Sequence, residues 1–255
     1  MSHSFSSPLD PSSVTPDFGI ATAITRNGYA LVTPERMQRE LGLDLAALDE
    51  LHASWGRLPP DTHLRDGGHY RHRRHSCFVQ TLDSGTLQET PHRAHWQPVS
   101  YNALHGGMER WFEPIEPGIS RAPVWTRLLT SLGTLFAQVR PVRWWHIEAH
   151  QFRIDTAAGI GRPTPEGAHR DGVDFVAVIL AARHDVRGGE TRVFEANGPA
   201  GVRFTMERPW TTLLLDDARV IHETTPIQPD GVAGVRDTIV LTYRERGFQS
   251  PHEPG

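Results

Sequence analysis

With 255 residues, 38% hydrophobic and 22% charged, the chain is long enough for one or two domains with a sizeable core, and its composition is that of a water-soluble globular protein. A formal net charge of -4 gives no electrostatic reason to expect nucleic acid as a partner, and the longest apolar run, 175–182, falls far short of the ~20 residues that span a bilayer. A single cysteine, Cys77, excludes an internal disulfide and any zinc site needing two thiolates. Every basic residue is Arg, which excludes a Schiff-base lysine and a phosphate-loop lysine.

Residues 1–20, rich in Ser and Pro, read as a loose leader ahead of a single domain over 21–250. They lack the basic start and apolar run of a secretion signal, which with the lone cysteine points to a reducing, cytoplasmic setting. Thr33-Pro34-Glu35 predicts a helix start, with Thr33 as N-cap and Pro34 at the first helical position. Leu45, Leu48, Leu51 and Trp55 recur at spacings of three and four and predict a second helix over 44–55, ended by Pro59-Pro60. Residues 60–120 are turn-rich and yield no assignment; the run His69-Tyr-Arg-His-Arg-Arg-His75 within them reads as a solvated or anion-pairing surface. Trp125, Leu128, Leu129, Leu132 and Phe136 share one face of a third helix, 123–139.

Beyond Arg140 the period changes from 3.6 to two. Strands are predicted at 147–154, 173–182, 190–195, 202–205, 211–215, 220–224 and 238–244, punctuated by Gly and Pro. Many short strands with no helical pattern between them predict a mainly β fold with flanking helices: a jelly-roll core over 141–248, covered by a helical and loop-rich layer over 21–140.

His169 and Asp171 precede the apolar strand at 173. Residues i and i+2 of an extended chain point the same way with Cα atoms about 6.8 Å apart, so both side chains can reach one ion. His222 offers a third donor. Two imidazoles and a carboxylate on one face of a metal form the arrangement of non-haem Fe(II) oxygenases. In a chain with 15 His, however, an HxD pair alone is weak. Arg236, just before the alternating strand 238–244, supplies a planar fork for a carboxylate, and 2-oxoglutarate, which chelates a metal at one end, suits such a pair of sites. The rival His146-Ile-Glu148-Ala-His150 lacks the HExxH order, and as a strand it would separate its two histidines by about 13 Å. Cys77 reads as a small core residue. Gly188-Gly189 reads as a turn between strands.

The stretches PTPEGAHRDGVDFVAVIL, GGET at 188–191, LLLDDARVIHETTPI at 213–227 and the strand from Arg236, together with HYRHRRHSCF and YNALHGGMERWFEPI upstream, resemble the bacterial 2-oxoglutarate/Fe(II) dioxygenase family that includes L-isoleucine dioxygenase and other free amino-acid hydroxylases. The resemblance covers about residues 60–246. It implies a double-stranded β-helix (jelly roll) core, iron on His169, Asp171 and His222, and 2-oxoglutarate on Arg236. It also implies an O2-dependent hydroxylation of a C–H bond that releases succinate and CO2, with ascorbate as reductant in vitro. The substrate expected is a free L-amino acid or other small molecule, with neither nucleic acid nor membrane as partner. Glu166 and Arg153 offer a zwitterion one partner of each sign, and Arg71, Arg73 and Asn102 are candidates either to form a lid or to contact the carboxylate. Two alternatives use the same residues differently: a cupin-like isomerase or hydrolase that needs the metal but not O2, and a non-catalytic small-molecule binding module.

Overall fold

The computed structural model describes residues 19–251 and the two-residue strand at 4–5; the remainder of the expected leader lies outside the described residues. Seven strands build the larger sheet, in the order β2 (Tyr29–Val32), β10 (Thr212–Asp216), β6 (Phe175–His184), β13 (Val235–Arg244), β5 (Trp144–Asp155), β3 (Arg71–Thr81) and β4 (Thr86–Glu89). A second sheet has the order β1 (Ser4–Phe5), β9 (Ala200–Thr205), β8 (Glu190–Glu195) and β11 (Val220–Thr224), and β7 (Val186–Gly188) pairs with β12 (Ile227–Pro229). All pairings are antiparallel except that of β1 with β9. The fold is mainly β with few helices, as expected.

The two faces of the larger sheet follow from the two-residue period of its strands. Ile147 and Ala149 of β5 and Ile239, Leu241 and Tyr243 of β13 turn toward the helices and join a large apolar core. The helices there are α1 (Ile20–Asn27), α2 (Pro34–Leu41), α3 (Leu45–Asp49), α4 (Pro117–Ser120) and α5 (Pro123–Val139). On the other face, Val176, Leu180, Leu213 and Leu215 pack against Val193, Phe204 and Val220 of the second sheet and close one end of the sandwich. Further along that face the inward residues become polar, and a cavity opens between the sheets.

Helix α5 has the predicted bounds, with Pro123 at its start and Trp125, Leu128, Leu129, Leu132 and Phe136 buried. It crosses the sheet closely at Gly133. A Cβ there would stand 1.9 Å from Gln80 Oε1, and the Gly133 carbonyl accepts a hydrogen bond from Trp145 Nε1. Thr33 caps α2 by accepting from the Arg36 amide. The helix predicted over 44–55 is broken: α3 stops at Asp49 and a 3-10 helix covers His52–Arg57. Residues 21–140 also contribute more than a covering layer, since β2, β3 and β4 all belong to the larger sheet. Among the described residues no helix is long and apolar enough to cross a membrane.

Candidate metal centre and cavity

His169 and His222 meet through the main chain. Each backbone N–H donates to the other's carbonyl at 3.0 Å, an isolated antiparallel bridge that extends β11, and the rings stand 4.6 Å apart. Asp171, two residues on, turns to the same side, its Oδ1 3.8 Å from His169 Nε2 and its Oδ2 3.8 Å from His222 Nε2. The three donor atoms lie within 4.8 Å of one another. His169 Nδ1 is 2.9 Å from the Gly167 carbonyl, so that nitrogen carries the proton and Nε2 presents its lone pair to the other two donors.

The turn that aims Asp171 is held from behind. The Asp217 carboxylate accepts the backbone N–H groups of Asp171, Gly172 and Val173 at 3.0, 2.8 and 3.1 Å. Gly172 is required there: its φ is +76°, and a Cβ would meet the Tyr101 ring at 2.5 Å. Asp171 Oδ1 accepts from Gln97 Nε2 at 3.1 Å. Burial raises the Asp171 carboxyl pKa, and burial together with the Asp171 charge pushes Asp217 up to about 7. Burial opposes charge on His169, but the Asp171 and Glu166 carboxylates outweigh it and raise its pKa. Burial and the neighbouring His169 hold His222 far below its ordinary value. Buried carboxylates that repel one another beside a neutral imidazole are relieved by a cation, so this donor set suits a divalent metal.

Arg236 faces the same cavity from the start of β13, with Thr238, Val240 and Thr242 following at two-residue spacing. It is 3% exposed, and its Nε and one terminal nitrogen have no hydrogen-bond partner. Burial and the neighbouring Arg183 lower its pKa to about 10, which leaves it charged at neutral pH. A buried, unpaired fork of this kind suits a ligand carboxylate.

The cavity brings in four of the other sequence candidates, Glu166, Arg71, Arg73 and Asn102. Glu166 Oε1 lies 3.6 Å from His169 Nε2, while its Oε2 is buried without a partner. Arg71 Nε donates to Asp61 at 2.8 Å, and Arg73 lies 3.8 Å from the same carboxylate. Asn102 is committed to its own loop: its side-chain amide donates to Gln97 Oε1 and its oxygen accepts from the His105 amide. Arg153 is not brought to the cavity. The β5 alternation sends it to the opposite face, where it forms a bidentate pair with Asp237 at 2.7 and 2.8 Å. The run 69–75 is likewise corrected. It enters strand β3, whose Arg71, Arg73 and His75 are buried rather than solvated. Cys77 is buried as expected, and burial pushes its thiol pKa up.

A second cluster, His75, His95, Glu148 and His150, also has donors within 4.8 Å. Glu148 and His150 alternate on β5, and the β3–β5 register that pairs His75 with His150 brings in the histidine from β3. Most of the cluster's polar groups pair with one another, although His75 Nδ1 is buried without a partner. One Glu148 oxygen lies 2.8 Å from His75 Nε2 and 2.6 Å from His95 Nδ1, and Arg73 donates to His150 Nδ1 at 2.8 Å. Burial alone would raise the Glu148 pKa, but His95 and His75 outweigh it and hold the carboxyl below its usual range. The Arg73 guanidinium already supplies the positive charge there. Gln97, Arg110 and Asp217 also escape the sequence reading, because they lie in or beside turns with no distinguishing pattern.

Residues 52–242 match the model of a family described as 2OG-Fe dioxygenase. The chain is 54% identical to a bsmA homolog from Methylobium petroleophilum PM1, with 97% of this chain and 98% of that one covered and a TM-score of 0.87. It shares its fold with IDO from Bacillus thuringiensis, at 16% identity, 91% and 98% coverage and a TM-score of 0.73. The Fe(II)/(alpha)ketoglutarate-dependent dioxygenase TqaL is similar in fold at 18% identity, 92% and 88% coverage and a TM-score of 0.68. No curated protein sequence matches the chain.

Proposed function

The chain belongs to the 2OG-Fe dioxygenase family, and from that premise we propose that it hydroxylates an unactivated C–H bond of a free L-amino acid. Family membership brings Fe(II), 2-oxoglutarate and O2 as cofactor and cosubstrates. Bound Fe(II) would activate O2 as the oxidant: one oxygen atom would go to the C–H carbon and the other to succinate as 2-oxoglutarate loses CO2. His169, Asp171 and His222 would hold the metal, and Arg236 would pair with the distal carboxylate of 2-oxoglutarate. The observation that carries the reading is the convergence of those three donors in one cavity with an unpaired, buried guanidinium.

The protein's own part is positional. Gly167 and Gln97 orient His169 and Asp171 through the hydrogen bonds given above. Phe152, Val178 and Val240 give the cavity apolar wall, which excludes water and leaves room for an aliphatic side chain. An amino acid as substrate is supported by the mixed charge of the lining, with Glu166 available to an ammonium group and Arg71 and Arg73 contributing positive charge.

The test is a panel of the twenty free L-amino acids with Fe(II), 2-oxoglutarate and ascorbate, analysed by mass spectrometry. The expected result is a gain of one oxygen on one or a few members with equimolar succinate. Succinate formed in the presence of iron while every amino acid stays unmodified refutes the substrate class; no succinate under any condition refutes the dioxygenase reading.

A further inference from the structure

Four guanidiniums line the cavity, and their counter-ions divide them into two pairs. Asp61 serves Arg71 and Arg73, as described. Among the described residues neither Arg110 nor Arg236 has a carboxylate within 4.0 Å, yet they are only 2% and 3% exposed. Arg110 Nε has no partner at all. Keeping an unpaired cation in a low-dielectric site is costly unless a ligand completes the pair. A 2-oxoglutarate molecule chelating the metal has one free carboxylate, and Arg236 accounts for it. One guanidinium remains.

Granting a free amino acid as substrate, we propose that Arg110 binds its α-carboxylate and thereby selects zwitterionic amino acids over their uncharged-carboxyl analogues. The side chain is built in rather than loosely placed. Its backbone exchanges two hydrogen bonds with His95, at 2.9 and 3.0 Å, in an isolated bridge. One terminal nitrogen donates to Gln97 Oε1 at 3.0 Å, and the amide of the same Gln97 donates to Asp171. One side chain therefore ties Arg110 to the carboxylate of the metal centre, and a substrate docked on Arg110 takes its register from the ion. Glu166 lines the same cavity as Arg110 and forms no ion pair with it, so a zwitterion would find one partner of each sign there. Burial lowers the Arg110 pKa only to about 10, so the fork stays charged when substrate arrives.

The experiment uses the Fe(II)- and 2-oxoglutarate-loaded enzyme, the amino acid found by the panel and its carboxamide, which keeps the shape and loses the negative charge. Wild type is expected to favour the acid by about 100-fold in kcat/KM. Arg110→Gln is expected to raise KM for the acid by a similar factor and to leave KM for the carboxamide and for 2-oxoglutarate within about threefold, with Arg110→Lys in between. Calorimetric Kd values under argon should move in step with these KM values. An unchanged KM for the acid, or an equal rise for acid and carboxamide, overturns the assignment and leaves the amino-acid reading standing. A panel with no product overturns both. Should Arg110→Gln fail to fold, equal use of acid and carboxamide by wild type overturns the assignment without any variant.

Discussion

Replacing Asp61 with Asn keeps the size of the side chain and removes the one negative charge that two buried guanidiniums share. The Asp61 side chain is fully buried; it accepts from Arg71 Nε at 2.8 Å and from the His63 amide at 2.9 Å, and Arg73 stands 3.8 Å away. Breaking a buried pair by removing one partner costs about 3–5 kcal/mol, because the other charge is left without compensation. For a chain of this size each kcal/mol moves Tm by roughly 2–4 °C, so the variant should unfold about 10 °C below wild type. Burial by itself would raise the Asp61 pKa, but Arg73 and Arg71 reverse this and hold it below the ordinary value. Its stabilisation is therefore complete above the unfolded-state value of about 4 and is lost as pH falls through the folded value. Thermal unfolding followed by far-UV circular dichroism should show a constant gap from pH 8 to pH 5 that narrows only in stronger acid. A gap under about 2 °C, or one that closes before pH 5, would mean that the two arginines are compensated by something other than Asp61.

Alanine at His169, Asp171 or His222 should abolish both turnover and iron retention; metal analysis showing full iron in all three variants would remove the centre from these residues. Arg236→Gln should raise KM for 2-oxoglutarate about 100-fold or more, and its Tm should stay level or rise, since an uncompensated cation is removed. His105 is buried, its Nε2 accepting the Arg65 amide, and burial lowers its pKa to about 4. Because the unfolded chain binds a proton near pH 6.5 and the native state does not, wild type should lose about 1 kcal/mol through this residue between pH 7.5 and 5.5. His105→Asn should therefore gain on wild type by that amount on acidification; a difference independent of pH would show that native His105 binds protons as the unfolded chain does. Arg153→Gln should leave both KM values unchanged, and a rise in either would return Arg153 to the cavity.

The strands that sequence periodicity located are those that bury apolar side chains. Strands β8 and β11 have the expected bounds, β5 and β13 begin three residues earlier than expected, and β6 is displaced by two residues at both ends. Strand β3 alternates in its first half, but there Arg71 and Arg73 face a polar cavity and His75 packs against Glu148, so the period is carried by charged and polar residues and a hydrophobic pattern passes over it. The helix expected over 44–55 shows the converse failure. Its apolar spacing is right, but spacing alone does not reveal that the helix stops at Asp49, ahead of the 3-10 turn. At the metal centre, HxD spacing and the family resemblance led to residues that do converge. Arg153 was assigned by charge, which does not report which face of a strand a side chain occupies; strand parity does, since Phe152 and Ile154 line the cavity on either side of it. Gln97, Arg110 and Asp217 act through contacts between segments distant in sequence, which only the fold brings together.

The bridge between His169 and His222 carries a consequence for how this enzyme could be altered. Their imidazoles are set side by side by amide-to-carbonyl contacts that every side-chain replacement other than proline leaves in place. The scaffold around this candidate metal site is thus set by the main chain, so donors of another kind could be exchanged in at either position and would inherit a ready-made spacing. Tuning the metal preference of this fold becomes a problem of chemistry at two positions, with the architecture left untouched.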